Sequence, residues 1–169
     1  MAMPVVYSNI AIPRPGQPTC ANSPQTIAGT TLDRHDIEPS SQVSRRTYPK
    51  GILWCAKDSR THVVINIARL IPAEEVFKML DGVYYLCLNM IRHYGDQPIA
   101  GGSFLWVGNN QFELRVRNAN NHQTTYGVLG AAMLAVKDYM GRFGYYTGTF
   151  TIFDGINHVG DGTIGVPGQ

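Results

Sequence analysis

The chain of 169 residues has few charged side chains and no extended basic segment. Asp, Glu, Lys and Arg make up 15% of the residues, and the formal net charge is +2. No run of basic residues is longer than the pair Arg45 and Arg46, whereas nucleic-acid-binding proteins concentrate positive charge on one surface. The composition therefore argues against a nucleic-acid partner.

Long apolar segments are also missing. Polar residues such as Asp81, Asn89 and Lys137 interrupt the helix-like apolar runs, and none reaches the roughly 20 apolar residues that a membrane-spanning helix needs. The opening segment, MAMPVVYSNI, has neither the basic start nor the long apolar stretch of a secretory signal. We predict a soluble protein without a membrane partner, and the compartment has to be inferred from other features.

Cysteine is scarce, with three residues in the chain. Cys20 lies in a Pro-rich segment, Cys55 in a strand-like run and Cys87 in an apolar helix pattern. One interpretation is a secreted protein in which a Cys20–Cys55 disulfide holds the N-terminal segment and Cys87 is a buried thiol. The other is a cytoplasmic protein with three reduced, buried thiols. Both remain open from the sequence.

Familiar catalytic and cofactor-binding motifs are absent as well. No Gly-x-Ser-x-Gly, His-Glu-x-x-His, Walker or dinucleotide-binding pattern occurs in the sequence. Gly160 and Gly162 follow a strand pattern without opening a helix, which does not support a phosphate-binding loop. We predict no cofactor, and whether the protein is an enzyme stays undecided.

Acidic and imidazole side chains do cluster in the segment LDRHDIEP. Its candidate acid, base or ligand residues are Asp33, His35, Asp36 and Glu38. His122 and His158 join them only if the N-terminal segment folds over the end of the predicted sheet. The simpler interpretation is a solvated loop, because no second His or Cys motif is spaced to complete a metal site. No metal is predicted.

The chain divides into an arm, residues 1–49, and a body, residues 50–169. The arm is rich in Pro, Ser, Thr and Asn, with one possible edge strand at Val5–Ile10. We expect it to pack on the body. Arg45 and Arg46 resemble a dibasic processing site, or are an ordinary exposed pair.

The body contains patterns for three hairpins and two helices. The hairpins are GILWCA with THVVINIARL, GSFLWVGNNQFELRVRNA, and GTFTIFDGINHVGDGTIGV, which turns at Asp154–Gly155. The first helix starts at Pro72 and ends before Gly95, with acidic residues in its first turn and basic residues in its last. The second runs from about Thr125 to Phe143.

The two helices and the hairpins that follow them resemble each other. Aligning the helices places Gly95 on Gly144, and aligning the hairpins that follow them places Phe104 on Phe150. A unit of one helix and two strands therefore occurs twice after an initial hairpin. A helix that joins strands of one antiparallel sheet crosses one of its faces. We predict an α+β fold in which two helices pack side by side on one face of an antiparallel sheet of about five to six strands, of split βαβ or ferredoxin-like type.

The segment TYGVLGAAMLAVKDYMGRFGYYTGTFTIFDGINHVGDGTIG resembles the C-terminal half of small secreted proteins of filamentous fungi. The shared pattern is a Tyr-Gly helix start, a DG hairpin and a VGxGxI strand. These proteins are similar in organisation to effector-like and killer-toxin-like α/β sandwiches. The resemblance implies secretion and an interaction role, and it implies no catalytic residues.

Two functional hypotheses follow. The first is an extracellular, effector-like interaction protein that binds a protein partner through its surface or the open face of its sheet. The second is a small cofactor-free enzyme of cyclase or isomerase type, with a pocket for a small apolar ligand between the sheet and the arm. Its acid or base would come from Asp33, His35, Asp36, His122 or His158.

Overall fold

The computed structural model describes residues 17–33, 47–48 and 51–168. Its strands are β1 (Thr19–Cys20), β2 (Ser23–Ile27), β3 (Thr47–Tyr48), β4 (Gly51–Cys55), β5 (Thr61–Leu70), β6 (Ser103–Val107), β7 (Glu113–Asn118), β8 (Tyr146–Asp154) and β9 (Asn157–Gly165). Its α-helices are α1 (Ala73–Tyr94) and α2 (Tyr126–Phe143), and short 3-10 turns cover Ala100–Gly102 and Asn109–Gln111. The strand predicted at Val5–Ile10 and the pair Arg45 and Arg46 lie outside the described residues.

The predicted fold class is confirmed. β1 and β2 form a small sheet of their own, and the other strands form one sheet in the order β3-β4-β5-β8-β9-β7-β6. All neighbouring strands in it are antiparallel. The predicted hairpin strands supply six members, and the two-residue β3 adds a seventh at one edge. β9 lies between β7 and β8, so β7, α2 and β8 form a split βαβ unit.

The ends of both helices follow from local sequence. Pro72 is the residue just before α1, so the helix begins at Ala73, one residue later than predicted. Thr125 precedes α2, and its Oγ1 accepts a hydrogen bond from the Val128 amide at 3.3 Å. Gly95 and Gly144, which follow the two helices, have φ angles of +78° and +105°, which glycine adopts without strain.

The helices pack against each other and against one face of the sheet. They run antiparallel, because Asp81 of α1 forms an ion pair with Lys137 of α2 while Gly130 lies beside Cys87. A Cβ added to Gly130 would lie 3.3 Å from the Cys87 Cβ, so glycine permits this close approach. Between helices and sheet, Trp54 is buried and its Nε1 donates to Asp138 Oδ2 at 2.9 Å.

The repeated units are related by an approximate two-fold axis through the sheet. The second strand of each unit, β7 and β9, pair antiparallel, and Val116 lies opposite Gly162. Phe104 pairs with Val116 and Phe150 pairs with Gly162, so the predicted equivalence of Phe104 and Phe150 implies this same axis. The antiparallel helices obey it too. By this symmetry β6 corresponds to β8.

Residues 17–33 of the predicted arm lie against β4 and cover one corner of the other sheet face. A disulfide joins Cys20 to Cys55 with a Cα–Cα distance of 5.5 Å, and Cys87 is free and buried, as the first interpretation predicted. The buried apolar cluster under this segment consists of Cys20, Ala28, Leu32, Leu53 and Cys55. The arm therefore packs there as part of the fold.

Candidate functional site

Of the predicted polar site residues, the structure describes three, Asp33, His122 and His158, and they do not form one site. Asp33 is exposed at the end of the described arm, and His122 is exposed in the turn before α2. His35 and Asp36, with Glu38, lie outside the described residues. Among residues that the structure describes, no hydrogen bond joins Asp33, His122 and His158, and no three His, Cys, Asp or Glu side chains are grouped to hold a metal ion.

His158 is half-buried, and both of its ring nitrogens have partners. Its Nδ1 lies 3.0 Å from Asn120 Nδ2, and its Nε2 lies 2.9 Å from Asp161 Oδ1. These contacts let Nδ1 accept from Asn120 and Nε2 donate to Asp161. His122 sits in the same turn as Asn120, yet it makes none of these bonds. The imidazole of His158 is held in place rather than presented as a free base.

His62 lies beside Cys55 on the sheet face that residues 17–33 cover. It pairs with Cys55 on one side and Phe153 on the other, and its ring stacks on Phe153 at 4.8 Å. The residue is 6% exposed, and its Nδ1 has no hydrogen-bond partner in the described structure. Burial lowers the pKa of His62 to about 4 and outweighs the opposing effect of the Arg60 backbone. His62 is therefore neutral near pH 7.

The open face of the sheet, which is turned away from the helices, carries polar side chains on β7, β8 and β9. On β7, Glu113, Arg115 and Arg117 alternate with the buried core residues Leu114 and Val116. Threonines from the two central strands share this face: Thr147, Thr149, Thr151 and Thr163. Directly opposed side chains on neighbouring strands point to the same side, so Thr149, Thr163 and Arg115 form one row across the sheet.

Two β-bulges turn further polar side chains onto this face. In β5, Ile67 pairs with Gly148 but Arg69 pairs with Thr147, so Ala68 is the extra residue and Arg69 changes sides. At Gly148 a Cβ would lie 2.2 Å from the Asn66 carbonyl oxygen, so only glycine fits beside this bulge.

The second bulge is in β9. Gly160 pairs with Ile152, whereas His158 pairs with Phe153, which leaves Val159 as the extra residue. Val159 is buried in the core and His158 lies on the open face with Phe153. Sequence alternation alone would place His158 with Gly160, on the helix side.

A groove of about 650 Å³ lies on the open face beside the first bulge. The polar side chains that line it are Arg69, Glu113, Arg115, Thr147, Thr149 and Thr163. Arg115 Nη2 donates to Glu113 Oε2 at 3.0 Å, which fixes the guanidinium while its side chain stays 43% exposed. A guanidinium has five N–H donors in a planar fork, so Arg115 can bind a second acceptor. Beside the threonine hydroxyls, this arrangement suits a carboxylate.

The groove residues were not among the predicted site residues. For β7 and β8 the signal was present, because ELRVRN and TGTFTIF alternate polar and apolar residues and so place the Arg and Thr side chains on one face. For Arg69 no such signal exists, since the bulge reverses its side.

Comparisons with known proteins identify no relative: no protein-family model, no curated protein and no solved structure matches the chain. Within the described ranges, neither α1 nor α2 is apolar enough over its length to cross a membrane, and no other helix is long enough.

Proposed function

We propose that this protein is a secreted interaction protein that binds a carboxylate-bearing partner along the open face of its sheet. The groove beside Arg69 and Arg115 carries the proposal, because it combines a fixed, exposed guanidinium with a row of hydroxyl groups. Arginine binds carboxylates through paired N–H donors, and such charge-assisted bonds are stronger than neutral ones. The groove is open to solvent, which suits binding of an extended chain or of another protein's surface.

The compartment rests on the Cys20–Cys55 disulfide. Disulfides persist in oxidising environments and are rare in the cytosol, which supports secretion. An effector-like role in a filamentous fungus is the further part of this proposal, and its support is the resemblance of the segment from α2 to β9.

The interior supports an interaction role better than the enzyme hypothesis. A cyclase or isomerase would need an apolar cavity between arm and sheet. On the sheet face that interface is filled by the cluster around Leu32 and Leu53, and the cavity of about 720 Å³ beside Asn22 and Cys55 has charged residues in its lining: Lys57, Asp58, Asp138 and Arg142. His62 is enclosed there, and His158 has a partner at each ring nitrogen.

Titration with two carboxylate probes tests the proposal. A short oligoglutamate peptide and a short oligogalacturonide distinguish an acidic protein segment from an acidic sugar. Amide shifts in ¹H–¹⁵N spectra should concentrate at Arg115, Thr149 and Thr163. Arg115→Ala should weaken binding about tenfold, and Arg115→Lys should restore only part, since lysine lacks the fork.

Arg92→Ala is the matched control, because Arg92 is an exposed arginine in the last turn of α1. It should leave the affinity unchanged. Equal losses in Arg92→Ala and Arg115→Ala would contradict a specific groove, as would shifts spread over the helices. Absence of binding to both probes would contradict carboxylate recognition.

A further inference from the structure

The two ends of the main sheet differ in whether other residues bond to the outward backbone groups of their strands. At β4, the Ala21 amide donates to the Leu53 carbonyl at 2.9 Å, and the Asn22 side chain bonds the backbone N–H and C=O of Cys55 at 3.1 and 2.9 Å. At the opposite edge, β6 pairs with β7 alone within residues 17–33, 47–48 and 51–168. Alternate backbone groups of β6 therefore face outward without a strand partner.

The sequence of β6, SFLWV, contains none of the usual protection of an edge strand. Natural edges carry charged residues, proline or a bulge that prevent pairing with another chain. β6 has no charge, no proline and a regular register with β7, and Leu105 and Val107 are 51% and 60% exposed. On the helix side Trp106 lies against Gly82 of α1. β6 is therefore a regular, uncharged edge strand with which a further strand can pair.

The internal symmetry indicates which kind of strand can pair with the outer edge of β6. β6 corresponds to β8 under the two-fold axis, and the outer edge of β8 is occupied by β5 in antiparallel pairing from Thr61 to Leu70. One copy of the repeated unit is thus built to take an antiparallel strand in this position. In the other copy, no described residue fills it.

We propose that β6 pairs with β6 of a second copy of this chain, antiparallel and about a two-fold axis at Leu105. In that register Leu105 lies opposite Leu105, Phe104 opposite Trp106, and Ser103 opposite Val107. Aromatic and aliphatic cross-strand pairs stabilise antiparallel strands. Because the edge carries no charge, two identical copies meet without like-charge repulsion, and this self-complementarity favours a second copy over a charged partner strand.

The symmetry of this pairing fixes how the two molecules face. Identical antiparallel neighbours in one sheet are related by an axis perpendicular to that sheet. Both open faces therefore lie on the same side of a continuous sheet, with all helices on the other. If the proposed carboxylate groove is correct, the dimer presents two grooves to one partner surface, which raises avidity when both are occupied. The dimer itself does not depend on the groove.

Sedimentation of the full chain at about 100 µM tests the dimer, a concentration suited to a small interface. We expect the wild type to sediment as a dimer and Leu105→Arg, which places two like charges at the axis, to raise the dissociation constant at least about tenfold. Ile156→Arg is the control, because Ile156 is 91% exposed in the turn between β8 and β9. It should remain dimeric.

Single cysteines test the register. Leu105→Cys should form an intermolecular disulfide in a glutathione redox buffer, whereas Ser103→Cys should not, since Ser103 lies opposite Val107. Cys87 does not compete, because burial raises the pKa of its thiol to about 12. A monomeric wild type, a dimer that persists in folded Leu105→Arg, or cross-linking through Ser103→Cys instead of Leu105→Cys would each overturn the proposal.

Discussion

At the residue scale, the aromatic ring that covers Gly162 leaves no room for a side chain at this position. The Phe150 side chain lies over Gly162 from the neighbouring strand, and a Cβ at Gly162 would come within 2.1 Å of that ring. Gly162→Ala should therefore lower the free energy of unfolding by about 1–3 kcal/mol, the usual range for overpacking a core. Urea unfolding measures this. Gly165→Ala, in the same strand with no atom within 4 Å of an added Cβ, should change stability by less than about 0.5 kcal/mol; similar losses in both variants would contradict the prediction.

His62 should make stability depend on pH. Its pKa is lowered from 6.5 to about 4 in the folded protein, chiefly by burial, so between these values the unfolded chain binds a proton that the folded chain does not. The free energy of unfolding should therefore be unaffected by His62 above pH 6.5 and fall as the pH is lowered toward 4, by about 3 kcal/mol in all. Unfolding curves across this range measure the loss.

His62→Phe is the control for this pH dependence. Phenylalanine retains an aromatic ring beside Phe153 but has no titrating group. The carboxylates titrate in both proteins, so the difference between the two curves isolates His62. Parallel curves from pH 7 to pH 4.5 would show that the imidazole is not excluded from water as the structure indicates.

At the element scale, the disulfide should hold residues 17–33 against β4. Closing a loop between positions 35 residues apart is expected to stabilise the fold by about 3–4 kcal/mol through the entropy of the unfolded chain. Reduction should lower the free energy of unfolding by this amount and speed amide exchange in residues 17–33. Cys20→Ser/Cys55→Ser should reproduce the reduced protein and lose all response to reductant. Equal stability of both redox forms would refute the stabilising role.

The strands and helices also show how far the sequence could lead. Alternation and helical spacing predicted the six strands and both α-helices of the body, because each rule depends on neighbours within one segment. The bulges at Ala68 and Val159 break that alternation through contacts between strands, so the sides taken by Arg69 and His158 could not be predicted. Of the groove residues, the bulge hid Arg69, whereas Arg115, Thr149 and Thr163 follow regular alternation but match no known catalytic or ligand-binding motif.

At the scale of the whole molecule, the repeat predicted both helices on one face but not the order of the strands. The third hairpin lies between the first and the second, an arrangement set by pairing between residues far apart in the chain. It brings Val116 opposite Gly162, so a branched side chain lies next to a residue that has no side chain. No local pattern encodes such a contact.

Hydrogen exchange should rank the strands by their place in this order. β8 and β9 have neighbours on both sides and pack on the core, so their amides should exchange only on global unfolding. In dilute protein the outward amides of β6 should exchange fastest among the strands of the body, and protection there should rise with protein concentration if the chain dimerises. Equal protection of β6 and β8 in dilute solution would contradict this ranking.

The Cys20–Cys55 bridge has one more consequence, for the dibasic pair Arg45 and Arg46. Both residues fall between the bridged cysteines in the sequence. A protease that cut after Arg46 would yield two polypeptides that stay joined as one molecule, separable only after reduction. Processing at this pair would thus change the number of chain ends without releasing a propeptide.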